Sequence, residues 1–225
     1  MLNFIKKFSI FSFLDNHEYD FNKSYECIAG AGVQHSIISY GINNLKSINN
    51  FQRNFGDWIF GHVAYDVKNE IENLHSSNPD GIGFPDFFFF VPEIVFILTE
   101  NEFKIGVHNS VDAQEIYDTI ISLKPITKID HPISVLKKKF TKDEYIETVK
   151  KLQQHILRGD CYEINFCQEF YADDIVIDPL SVYKKLSALS PNPFSAFYKY
   201  EDKYLMCASP ERFLKKRAAQ LFLSL

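Results

Sequence analysis

Between Thr141 and Phe170 the apolar residues change their spacing, and that change restricts the fold more than any other feature of the chain. Tyr145, Val149, Leu152 and Ile156 recur at i, i+4, i+7 and i+11, which draws one apolar stripe along a helix. Thr141 and Glu144 have the spacing of a capping box at its start. Gly159 supplies a left-handed stop. From Cys161 the period becomes two: Tyr162, Ile164, Phe166, Gln168 and Phe170 fall on one face of a predicted strand, and Glu163, Asn165, Cys167 and Glu169 on the other. The stripe is expected to pack against the sheet that holds Ile164 and Phe166.

The rest of the chain mixes the same two periods without a strict βαβ rhythm. Ile59 to Tyr65 reads as a strand. Phe87 to Leu98 is largely aromatic and β-branched but interrupted by Pro92, so it is one strand with a bulge or two in series. Phe103 to Val107 is a short strand. Asp112 to Leu123 fits a helix, with Ile116, Ile120 and Leu123 on one side. Lys124 to Lys139 reads as a connector. Asp178-Pro179 starts a helix with Val182, Leu186 and Leu189 inward. Ser195–Tyr200 and Tyr204–Ala208 form a hairpin about Glu201-Asp202-Lys203. The expected class is α+β, with mostly antiparallel sheets and packed helices.

Composition excludes several function classes. A hydrophobic fraction of 46% with 24% charged residues over 225 positions describes an ordinary globular chain able to bury a core without staples. A net charge of −5 and a pI near 5.8 provide no basic footprint for nucleic acid. The cysteines 27, 161, 167 and 207 form no CxxC pair, and the seven histidines show no HxxxH or HExxH spacing. Idle thiols in a reducing compartment are expected rather than a zinc site. The apolar run Phe8–Leu14 gives way at once to Asp15-Asn16-His17, too soon for a secretion signal. No run reaches the roughly 18 apolar residues of a membrane span. The expectation is a cytoplasmic protein.

Taken alone, Glu163 and Asn165 would be hydrogen-bonding groups of a sheet, and Glu211 a surface carboxylate paired with Arg212. Their combination with other segments is more specific. Arg158-Gly159-Asp160-Cys161-Tyr162-Glu163-Ile164-Asn165-Phe166 resembles the "GDxYQxN" segment of chorismate-utilising enzymes. Pro193-Phe194-Ser195-Ala196-Phe197 and Ser209-Pro210-Glu211-Arg212-Phe213 follow in the family's order. Upstream, Phe60-Gly61-His62-Val63-Ala64-Tyr65-Asp66 and Phe84-Pro85-Asp86 fit its "GxxxYD…PD" pattern. Within that family "PFSAF" is similar to aminodeoxychorismate synthase component I, whereas anthranilate synthase tends to show "PSPYMF".

The resemblance implies amination of chorismate at C4, with loss of the C4 hydroxyl, to 4-amino-4-deoxychorismate for 4-aminobenzoate and folate synthesis. It implies ammonia delivered by a glutamine amidotransferase subunit, and Mg²⁺ for the full-length family enzyme. Glu211 matches the proposed general acid/base. A tryptophan-like ligand pocket in the family is implied to map onto Asn16, Lys23, Ser24, Tyr25, Pro193, Phe194 and Ser195, with Asn16 standing where the family has a serine.

By motif, residues 1–125 correspond to the family's strand-rich N-terminal region and 126–217 to the start of its chorismate-binding domain. The "PIKGT" lysine expected soon after "SPERF" has no match in residues 214–225, and the metal ligands have none either. Residues 218–225 read as an unrelated tail. One choice of codons for them encodes the start of "PIKGT" in another frame, which suggests a frameshift near Arg217. The isolated chain is expected to be inactive. A non-catalytic binding module, a gene fragment and an anthranilate synthase relative are the alternatives.

Overall fold

A computed structural model describes residues 1–19, 25–41, 44–108, 111–124, 135–217 and 220–222. Residues 125–134, most of the expected connector, lie outside them. The chain forms two compact units, Met1–Thr127 with Pro179–Leu225, and Lys128–Asp178. This differs from the motif-based division at residue 125, because the segment after Pro179 extends the sheet of the first unit.

In chain order the first unit contains α1 (Leu2–Ile5), β1 (Ile10–Asp15), β2 (Cys27–Ala31), β3 (His35–Ser39), α2 (Asn44–Phe55), β4 (Phe60–Val63), α3 (Lys68–Glu72), β5 (Phe87–Val91), β6 (Ile94–Leu98), β7 (Phe103–Val107) and α4 (Ala113–Ser122). The second unit holds β8 (Lys137–Lys138), α5 (Lys142–Arg158) and β9 (Phe170–Tyr171). The chain then returns through α6 (Pro179–Leu189), β10 (Phe194–Tyr200), β11 (Lys203–Ser209), β12 (Lys215–Arg217) and β13 (Gln220–Phe222).

A six-stranded sheet runs β11-β10-β1-β2-β6-β7, and β3-β5-β4 form a second sheet; every pairing is antiparallel. The aromatic run Phe87–Leu98 is thus two strands in different sheets. Pro92 cannot donate to a ladder, and the chain crosses from one sheet to the other there. One side of the large sheet, including Phe11, Phe13, Ala29, Phe96 and Phe197, is buried with Phe4, Ile5, Ile116, Leu180 and Tyr183 of α1, α4 and α6. Tyr198, Tyr200 and Val95 pack with Phe60, Phe88 and Phe90 of the small sheet. In α6 the inward residues are Leu180 and Tyr183, while the expected Leu189 is exposed. The helix leans on its first turns, and Leu189 is its last residue.

The second unit corrects the strand reading. The capping box of α5 is present: the Glu144 N–H donates to Thr141 Oγ1 at 3.3 Å, and the Thr141 N–H to Glu144 Oε2 at 2.8 Å. Gly159 ends the helix at φ 83°. Beyond it, however, only Phe170–Tyr171 is strand, paired with Lys137–Lys138. Tyr162 is 95% exposed, and no α5 residue is fully buried. The expected packing of stripe on sheet is not formed, since Ile164 and Phe166 lie in no strand; the Tyr145 ring stacks on Phe166 at 5.2 Å.

Candidate functional site

The register of the large sheet gathers the candidate ligand-binding segments at one end. β1 stops at Asp15, which stands opposite both Ser195 of β10 and Cys27 of β2. Ser195 is buried, and its hydroxyl donates to the Asn192 carbonyl at 3.0 Å. The Asn192 amide in turn donates to Ser190 Oγ at 2.8 Å and to the Ser190 carbonyl at 3.1 Å. The turn Ser190-Pro191-Asn192-Pro193 is therefore braced before the strand begins, and it delivers Pro193 and Phe194 half-buried to the sheet end.

Asn16 follows directly on β1. Its Nδ2 donates to the Tyr25 carbonyl and its Oδ1 accepts from the Glu18 N–H, both at 2.9 Å. An asparagine can do both at once, which a serine hydroxyl at the same place could not match in reach. Here the side chain closes the loop between β1 and β2. Tyr25 directs its ring to Trp58, with centroids 6.3 Å apart. Lys23 and Ser24 lie outside the described residues. Asn16, Pro193, Phe194 and Ser195 therefore share one sheet end, while the Tyr25 ring is engaged elsewhere.

Burial controls the ionisable groups here. The Cys27 thiol is pushed far up by burial, and further by the Asp15 charge. It remains protonated at neutral pH and is no nucleophile. Burial also raises the Tyr183 hydroxyl.

Glu211 lies just past β11 and is exposed. Ser209 fixes its backbone, accepting from the Glu211 N–H at 3.2 Å and donating to its carbonyl at 3.1 Å. Arg212 does not pair with Glu211. Its guanidinium lies 4.6 Å from the centre of the Phe194 ring, a cation–π contact that joins the "SPERF" and "PFSAF" segments. The Glu211 carboxylate has no partner among the described residues, so it is available to a reactant. Asn192 and Arg212 are the contributors that motif reading missed. An asparagine between two prolines was the available signal for the first.

Of the upstream segments, Phe60 and Pro85 are buried, while Val63, Tyr65 and Asp66 are exposed. His62 Nε2 lies 3.0 Å from the Pro85 carbonyl, and Nδ1 3.0 Å from the Tyr198 hydroxyl. Among the described residues, no group of three or more His, Cys, Asp or Glu could hold a metal ion. No described helix is long and apolar enough to cross a membrane.

Comparison with known proteins gives this arrangement a family. The sequence model described as "chorismate binding enzyme" matches residues 11–224. The chain belongs to the chorismate-binding enzyme family. The match extends to residue 224, within the stretch that motif reading took as an unrelated tail. The chain is 24% identical to aminodeoxychorismate synthase component 1 of Bacillus subtilis over 181 residues, covering 74% of this chain and 38% of the relative. It is 29% identical to anthranilate synthase component 1 of Buchnera aphidicola over 223 residues, covering 92% of this chain and 40% of the relative. The crystal structure of anthranilate synthase component I from Streptococcus pneumoniae superposes with a TM-score of 0.68 at 19% identity, over 94% of this chain and 53% of that one. The α+β fold of this chain is thus that of its family, and the chain spans about half or less of the length of these relatives.

Proposed function

We propose that the chain is part of an aminodeoxychorismate synthase component I, which aminates chorismate to 4-amino-4-deoxychorismate on the route to 4-aminobenzoate and folate. The observation that carries this reading is the Pro193-Phe194-Ser195-Ala196-Phe197 segment at the head of β10, with the similarity to the Bacillus protein in support. Glu211 is the proposed general acid/base. Hydroxide is a poor leaving group, so a carboxylic acid delivers a proton to the C4 oxygen as the C–O bond breaks and water departs. Ammonia from a glutamine amidotransferase subunit supplies the nitrogen, and the setting is cytoplasmic. Mg²⁺ belongs to the proposal for the full-length enzyme.

A second reading is an anthranilate synthase component I. The Buchnera relative favours it, through the larger share of this chain that it covers. Product identity separates the two. The chain is joined to the remaining C-terminal portion of the Bacillus relative and incubated with chorismate, ammonia and Mg²⁺. Chromatography is expected to show 4-amino-4-deoxychorismate, and anthranilate would establish the second reading instead.

A further inference from the structure

Trp58 stands beside a cavity that the chorismate reading does not use. Helix α2 packs over β3 and β5 of the small sheet. Past its end, Gly56-Asp57-Trp58 turns back toward β4 and, with Phe51 and Phe89, lines an open depression of about 570 Å³. That volume lies in the range of small-molecule sites, roughly 300–1,000 Å³. Gly56 takes φ +59°, and no atom lies within 4 Å of where its Cβ would be, so the turn leaves the mouth open.

The lining has one chemical bias. Phe51, Trp58 and Phe89 present aromatic rings, Gln52 is polar, and Asp57 carries the only charge among the described lining residues. One Asp57 oxygen accepts from the Trp58 N–H at 2.6 Å, and the other lies 3.7 Å from His108 Nε2. The carboxylate lies at the edge of the rings. Ring faces attract cations as well, so the charge and the aromatic lining select the same sign of ligand. Trp58 is 41% exposed and is held by rings on two sides, Tyr25 at 6.3 Å and Phe60 at 6.4 Å. Its position is set before any ligand arrives, which lowers the cost of binding. Lys104 and His108 line a smaller cavity across Asp57 and Trp58, and the Lys104 ammonium is held by Glu102 at 2.8 Å.

We propose that the Trp58 cavity binds a small amine whose ammonium is carried on an aromatic body, with Asp57 as counter-ion and Phe51, Trp58 and Phe89 as the apolar wall. Trp58 is the one tryptophan of the sequence, so its intrinsic fluorescence reports binding without a label. The natural chain is titrated with phenethylamine and, separately, with 3-phenylpropionate, which has a similar ring and tether but the opposite charge. A saturable change is expected with phenethylamine, about two- to fivefold tighter than with the anion, as for a partly exposed ion pair. Asp57→Asn is expected to remove that preference. No saturable change with phenethylamine, equal affinity for the two probes, or an unchanged preference in Asp57→Asn would each overturn the proposal.

Discussion

The Tyr198 hydroxyl donates to Nδ1 of His62 at 3.0 Å, tying β10 of the large sheet to β4 of the small one. The tautomer follows from the other ring nitrogen. Nε2 faces the Pro85 carbonyl at 3.0 Å, a group that only accepts, so Nε2 carries the hydrogen and Nδ1 is left to accept. Burial lowers the His62 pKa, against an opposing pull from the Pro85 carbonyl. A histidine depressed in the folded state contributes stability that is complete above its unfolded value of about 6.5 and is lost as the pH falls through the folded value. His62→Phe is expected to cost about 1–3 kcal/mol near pH 8, because the Tyr198 hydroxyl and Pro85 carbonyl lose their partner. The penalty shrinks below about pH 6. Urea unfolding at both pH values checks this, and a penalty that grows in acid would contradict it.

Gly61 sits in the "GxxxYD" segment for a steric reason. A Cβ there would overlap the Phe88 carbonyl oxygen and crowd Phe89 Cα, both on the neighbouring strand β5. Backbone cannot move aside as a side-chain tip can, so Gly61→Ala is expected to destabilise by about 1–3 kcal/mol or more. Thermal unfolding measures this, and a change of only a few tenths would mean that β4 and β5 are further apart.

In the second unit the α5 stripe is only half covered. Leu152 is half-buried and Ile156 is 37% exposed. Leu152→Ala is therefore expected to cost about 1 kcal/mol or less, below the 2–5 kcal/mol of a full core deletion. Denaturant unfolding of the natural chain and the variant decides between the two ranges.

What could be read from the sequence follows a physical division. Helix α5 is set by local interactions, the Thr141–Glu144 box and the Gly159 stop, which neighbouring residues carry by themselves. The β10–β11 hairpin is likewise local, with Glu201 at positive φ in its turn. The alternation Tyr162–Phe170 looked equally regular, yet a strand needs a neighbour for its N–H and C=O groups. No short-range pattern specifies that neighbour, and here only Phe170–Tyr171 has one. The pairing of β1 with β10, which builds the candidate site, joins opposite ends of the chain and left no local trace. Helix α2 did leave one, Ile48, Phe51 and Phe55 at helical spacing, hidden in a polar stretch. For Glu211 the motif marked the residue, but the Arg212 contact with Phe194 emerged only from the fold.

The 225 residues alone are expected not to convert chorismate with ammonia or glutamine. Under the proposed function the nucleophile is the lysine of the family's "PIKGT" segment, which these residues do not contain, so the covalent step has no group to carry it. Chromatography of an overnight reaction checks this, and product above a no-protein control would contradict it.

Under the proposed function Glu211 moves the proton in a chorismate-converting enzyme. The direct measurement is the turnover of chorismate by this chain joined to the C-terminal portion of the Bacillus relative, with and without Glu211→Gln. Circular dichroism confirms that both forms are folded. The glutamine keeps the size of the side chain and removes its acid, so kcat is expected to fall by about 100-fold to 10,000-fold with thermal stability unchanged. A folded Glu211→Gln enzyme that retains its turnover would contradict the claim.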